Sequence, residues 1–216
     1  MANLLALETS TDICSVSLSR GEEIFNFHQL MPKQHTENLF GIISGLFEES
    51  GLSFEKLDGV AVAVGPGSYT GVRLACSVAQ GIAFSHDIKA VTLSSLELLS
   101  LEAHRNLGFE RINCISAANQ GKVYVAESSF VDGDILTKMK LIDQESILKE
   151  SFPENSHFIG EGCELLQFEN QLRDGQPRAS LLLEVAKVRF SKGNCIEAES
   201  ILPIYFNDEN SWKKII

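Results

Sequence analysis

The sequence predicts an α/β fold built by internal duplication, and three observations lead there. A strand–turn–strand–turn–strand pattern fills residues 3–30 and recurs over 111–142. Each copy is followed by segments of helical period. A continuous apolar run, Leu57 to Val64, has the make-up of a strand buried on both faces.

In the first copy, Asn3 to Leu7 is an apolar run that ends at the hydroxyl-rich turn Glu8-Thr9-Ser10-Thr11-Asp12. Ile13 to Leu18 alternates, which predicts a strand with one buried face. Arg20-Gly21-Glu22-Glu23 turns the chain into a third strand, Ile24 to Leu30. Pro32 breaks the pattern. From His35 the period is helical, up to Ser50-Gly51, where glycine suits a C-terminal cap. A second helix is expected from about Gly71 to Phe84, a strand over Ile88 to Val91, and a third helix from Ser94-Ser95 to Arg105.

The second copy reads Arg111 to Ile115, Val123 to Phe130 and Ile135 to Leu141 as strands, with Asp132-Gly133-Asp134 as a hairpin turn. A short helix over Ser146 to Lys149, a strand at His157 to Ile159 and a helix over 180–191 complete it. The order is that of two ribonuclease-H-like halves, mixed sheets flanked by helices, as in the actin-like ATPase (ASKHA) architecture. That name rests on analogy of order. The division expected is 1–105 and 106–216, with the last residues packing back on the first lobe.

Composition narrows the function. The net charge is −11 over 216 residues, and both halves are acidic. Phosphate backbones require clustered Lys and Arg, so the chain alone is a poor binder of nucleic acid. The five cysteines are widely spaced with no Cys-x-x-Cys, and read as small core residues in a reducing cytoplasm. No signal peptide and no membrane span is read.

The strongest local signal is Gly65-Pro66-Gly67-Ser68-Tyr69-Thr70-Gly71-Val72-Arg73. It leaves a buried strand and enters a helix, with Ser68 or Thr70 available as a cap. It suits either a phosphate cradle or a tight turn packed on a neighbour. No Gly-Lys-Ser/Thr follows, so it is not a P-loop, and the packed turn is preferred. Glu8 and Asp12 sit in the first hairpin, but the matching stretch Ser116-Ala117-Ala118-Asn119-Gln120 is uncharged. A nucleotide site of the actin-like class draws carboxylates from both halves to hold Mg²⁺. The histidines are never four apart, and His35 reads as structural. No metal ligand set, catalytic residue or cofactor site is assigned.

Two helices carry unusually wide apolar arcs. Leu39, Ile42, Ile43 and Leu46 lie on the first, and Val72, Ala75, Val78, Ala79 and Ile82 on the second. The excess over one sheet-facing stripe is spent either inside a thick fold or on a partner subunit. If on a partner, a large charged residue at Ala79 abolishes the complex.

These residues resemble the TsaB (YeaZ) family along nearly the whole chain. Leu4-Leu5-Ala6-Leu7-Glu8-Thr9-Ser10-Thr11, Pro32-Lys33-Gln34-His35-Thr36-Glu37 and Gly65 to Arg73 with Ala79-Gln80-Gly81 carry the match. So do Gly121-Lys122-Val123-Tyr124, Pro203-Ile204-Tyr205-Phe206 and Trp212-Lys213-Lys214. The resemblance implies an actin-like fold and a scaffold subunit without catalysis of its own. It implies a TsaD-like partner that transfers the threonylcarbamoyl group, a TsaE-like ATPase, and contact with tRNA through the complex. The two N-terminal helices are the implied interface, self-pairing into a homodimer when the partner is absent. Glu8 replaces a common Asp, Ala117-Ala118-Asn119 an Asp-Ala-Arg, and Asn207 an Arg, which weakens any nucleotide pocket. The competing class is an enzyme, either an actin-like nucleotide-binding ATPase or a protease of the glycoprotease group.

Overall fold

The structure is a computed structural model that describes residues 1–150, 152, 156–165, 171–172, 175–205 and 213–214. In chain order it runs β1 (Leu4–Glu8), β2 (Ile13–Arg20), β3 (Glu23–Leu30), α1 (His35–Ser50), β4 (Gly59–Ala63), α2 (Tyr69–His86), β5 (Lys89–Leu93) and α3 (Ser95–Leu107). Then follow β6 (Arg111–Ala117), β7 (Lys122–Val131), β8 (Asp134–Asp143), β9 (His157–Ile159), β10 (Gln171–Leu172), α4 (Ala179–Ser191) and β11 (Lys213–Lys214). Gln144–Lys149 and Glu161–Leu165 form 3-10 turns.

The first sheet has the order β3-β2-β1-β4-β5, the second β10-β9-β6-β7-β8-β11. Counted within each copy, the strands lie 3-2-1-4-5 in both, with β11 added at one edge. In each, the three-stranded meander is antiparallel and the next two strands pair parallel to its first. This is the ribonuclease-H-like order occurring twice, and the fold is the actin-like one.

The chain groups into two compact units. One comprises Met1–Ser95 with Pro177–Ile204, the other Leu96–Gln176 with Tyr205–Ile216. That grouping is not the division at residue 105 read from the sequence. It puts α3 in the second unit and α4 in the first.

In the first unit, α1 and α2 cover one face of the sheet. Leu5, Leu7, Cys14, Val16, Leu18, Val60 and Val62 meet Leu39, Ile43, Leu46, Val72, Ala75 and Ala79 there. The opposite face is covered by α4, which packs on β1, β2, β4 and β5. Strand β2 is therefore buried on both faces, where alternation predicted one. Its serines face α4 and are satisfied. Ser15 Oγ accepts from the Ala179 N–H at 3.0 Å, Ser17 Oγ donates to Asn26 Oδ1 at 2.6 Å, and Ser19 Oγ accepts from the Leu4 N–H at 2.9 Å. The segment after α4 closes the unit: Ile196 bridges Ala90, and Ile204 N–H donates to the Val64 carbonyl at 2.9 Å.

In the second unit, Ile115, Val123, Val125, Ile147, Phe158 and Cys163 form a small apolar cluster. The β7–β8 turn has Asp132 and Gly133 at φ of 50° and 76°, the paired left-handed geometry of a tight hairpin. Four of the five cysteines are buried and all five are free thiols. Among the described residues, no helix is long and apolar enough to cross a membrane.

Candidate functional site

The first hairpin turn and the 65–71 loop are one packed unit. Ser68 N–H donates to the Ser10 carbonyl at 2.7 Å, and Thr9 Oγ1 donates to the Gly71 carbonyl at 2.8 Å inside the protein. A Cβ built on Gly71 would stand 1.9 Å from Thr9 O, and one on Gly67 2.4 Å from Ser10 O. The glycines are there so that backbone can meet backbone. Ser68, not Thr70, caps α2, accepting from the Gly71 N–H at 3.2 Å. Gly65 is held from the far side by the Ser95 N–H at 2.9 Å, and Ser95 Oγ donates to the Pro66 carbonyl. Arg73 is occupied locally: its guanidinium lies over the Tyr69 ring at 3.2 Å and donates to the Tyr69 carbonyl.

Close backbone contact is thus the role the structure gives Gly67 and Gly71. Gly71→Ala should destabilise the protein by about 3 kcal/mol or more, since the Cβ meets backbone that cannot rotate away. Urea unfolding of the variant against the parent measures this.

Glu8 lies under the same turn and is fully buried. Its Oε1 accepts from the Ser10 N–H at 2.7 Å, while Oε2 has no hydrogen-bond partner among the described residues. Burial pushes its carboxyl up to about 7, and contacts with Ser10 offset part of that rise. Cys14 is pushed up to about 11, first by burial and then by the nearby Glu8. A cleft of about 240 Å³ opens beside this turn, between the starts of α1 and α2. Thr11, Asp12, Lys33, His35, Ser68 and Thr70 line it. His35 Nε2 hydrogen-bonds the Ile13 carbonyl at 3.2 Å and ties α1 to the sheet.

In the matching hairpin, Gln120 and Gly121 both have positive φ and Ala118 N–H donates to the Lys122 carbonyl. Glu161 supplies a carboxylate that sequence reading did not place there. It accepts from Ser116 Oγ at 3.2 Å. The turn Gly160-Glu161-Gly162 reaches this position because both glycines pack on Ile115, where a Cβ would stand 2.3 and 2.6 Å from its atoms. The signal in the sequence was that Gly-x-Gly pair. Among the described residues, no group of three or more His, Cys, Asp and Glu is placed to hold a metal ion.

The residues expected at a helix interface lie elsewhere. Leu39, Ile43, Leu46, Val72, Ala75, Val78 and Ala79 are buried in the chain's own core, and Ile42 and Ile82 are half-buried against it. The wide arcs are consumed internally because α1 and α2 also pack on each other, and α2 packs on the segment after α4. Ala79 is therefore no interface probe: Ala79→Glu should unfold the first unit, seen as loss of the cooperative thermal transition.

The outer face of the same two helices is open. On α1 it presents Phe40, Gly41, Ser44 and Gly45, on α2 Ser77, Gly81 and Phe84. Phe40 is 61% exposed and Phe84 72%. A Cβ on Gly41, Gly45 or Gly81 would meet nothing within 4 Å. Single exposed aromatics are ordinary, but two of them on a face otherwise made of glycine and serine suit a close-packed helical partner. The C-terminal family residues Phe206, Asn207 and Trp212 lie outside the described residues.

Comparison with known proteins bears on this arrangement. Residues 29–166 match the family model described as TsaD, tRNA N6-adenosine threonylcarbamoyltransferase. The chain is 29% identical to the tRNA threonylcarbamoyladenosine biosynthesis protein TsaB of Haemophilus influenzae, covering 98% of this chain and 96% of that one. It is 28% identical to TsaB of Escherichia coli, covering 98% and 97%. Among solved structures it is similar to YeaZ from Pseudomonas aeruginosa, with a TM-score of 0.86 and 29% identity over 95% of this chain and 100% of that one.

Proposed function

The chain belongs to the TsaB family, within the wider threonylcarbamoyltransferase family whose model it matches, and from that premise we propose that it is a scaffold subunit in the biosynthesis of threonylcarbamoyladenosine in tRNA. It has no catalysis of its own. A TsaD-like subunit carries the transfer chemistry, and a TsaE-like ATPase joins the complex. The observation that carries this reading is the open outer face of α1 and α2. Its glycines leave room for another backbone, and Phe40 and Phe84 offer apolar anchors at its edges. When the partner is absent, two copies meet through the same face.

Charge supports a division of labour. At −11 the chain repels a polyanion, so the basic surface that holds tRNA belongs to the partner. The packed 65–71 loop supports it as well, since the Ser68 and Gly71 amides are spent on the chain itself.

The test is reconstitution from purified parts. The chain and a TsaD-like subunit should co-elute as a stable heteromer, and tRNA should gain the modification when both are present with the ATPase. Separate elution of two folded chains would sink the proposal. So would full modification without this chain.

A further inference from the structure

The second unit holds a pocket of about 370 Å³ away from the hairpin turn, at the end of the sheet where β6 begins. That volume is within the range of sites for small organic molecules. Two in-register rows cross the sheet there: Arg111, Ser129 and Leu136, and Asn113, Glu127 and Lys138. Strand alternation puts both rows on one face. The residues between them, Ile112, Ser128 and Thr137, point to the opposite side, where all three are buried and the Ser128 and Thr137 hydroxyls pair at 3.0 Å. The pocket's face continues through Ile115 and Val125 into the small apolar cluster.

Ser156 closes one side. The parallel pairing of Ile112 with His157 brings it beside Arg111. It is 6% exposed, lines the pocket, and its Oγ has no hydrogen-bond partner among the described residues. A buried hydroxyl without a partner carries an uncompensated desolvation cost that a ligand would relieve. Charge in the pocket is uneven. Glu127 stands opposite Lys138 and balances it, while Arg111 has no ion-pair partner among the described residues. One guanidinium thus remains in a chain whose overall charge is −11.

We propose that this pocket binds a small amphipathic monocarboxylate. Its carboxylate accepts from the Arg111 guanidinium and from Ser156 Oγ, and its apolar body lies over Leu136. Arg favours a planar carboxylate, which it meets with two parallel hydrogen bonds. Leu136, in the same row as Arg111, gives the body an apolar surface that a bare inorganic anion does not use.

Titration of the ¹⁵N-labelled full chain with benzoate tests this. The amides of Arg111, Ser129 and Lys138 should shift together and saturate. Arg111→Gln, at an exposed position that leaves the fold intact, should weaken binding about tenfold. Ser156→Ala should weaken it about fivefold. Benzamide, of the same shape without charge, should bind about tenfold more weakly than benzoate. Shifts that fail to saturate or scatter over the surface would overturn the proposal. Equal binding of benzoate by Arg111→Gln, or the same shifts from inorganic phosphate, would do so too.

Discussion

A chain carrying Gly45→Arg and Gly81→Arg should fold as the parent does and lose its TsaD-like partner. Both positions are helix interior with open space where the new Cβ would stand. Glycine in a helix costs about 0.8–1 kcal/mol relative to alanine, and arginine is a good helix former, so the isolated chain should gain slightly in stability. The partner meets two long cations where it needs close backbone approach. Affinity should fall by about a hundredfold or more, roughly 2.7 kcal/mol. Size exclusion with the partner reads the loss, and thermal melting reads the fold. An intact complex would remove this face from the interface. Gly45→Ala with Gly81→Ala separates size from charge: it should raise stability by roughly 1–2 kcal/mol in total and weaken the complex less.

The apolar arcs of α1 and α2 were legible in the sequence, and what they pack on was not. The arcs on α1 and α2 were wide, but periodicity counts apolar residues without saying what covers them. Part of what covers α2 is the turn Ala198–Ser200, more than a hundred residues away in sequence. The residues left outside are Phe40 and Phe84 with glycines and serines, and a hydrophobic pattern scores those glycines and serines as weak. The same reason hid the second buried face of β2. Ser15 and Ser17 fall on the face that alternation left unburied, and the helix that covers it begins at Ala179. The meanders were legible because their turns are local: Gly21, Asp132-Gly133 and Gly121 need no distant partner to declare themselves. The 65–71 loop was legible as a turn from its glycines, and the backbone it packs against, Thr9 and Ser10, became visible in three dimensions.

Glu8 gives the largest expected dependence on pH between 5 and 8. In the unfolded chain its carboxyl titrates near 4.5, and in the fold burial raises it to about 7. The folded state therefore holds a proton that the unfolded state releases between those values. Stability contributed by this group is fully present below about 4.5, falls as pH rises through that window, and is level above about 7. A rise of that size corresponds to about 3 kcal/mol. Glu8→Gln keeps an oxygen for the Ser10 N–H and removes the titration. The variant should show a flatter stability profile and overtake the parent above neutral pH by up to about 3 kcal/mol, less the cost of a buried amide N–H placed where Oε2 now lacks a partner. Urea unfolding of both chains from pH 5 to 8 measures it, and because every other group is common to the two, the difference between the curves isolates Glu8. Parallel curves would mean that the carboxyl titrates alike in both states, through water entering the turn from the neighbouring cleft. The same turn supports the start of α2, so the ionised carboxylate should loosen the Ser10–Ser68 contact first. Amide exchange at Ser68 should then rise faster with pH in the parent than in Glu8→Gln, beyond the intrinsic increase common to both.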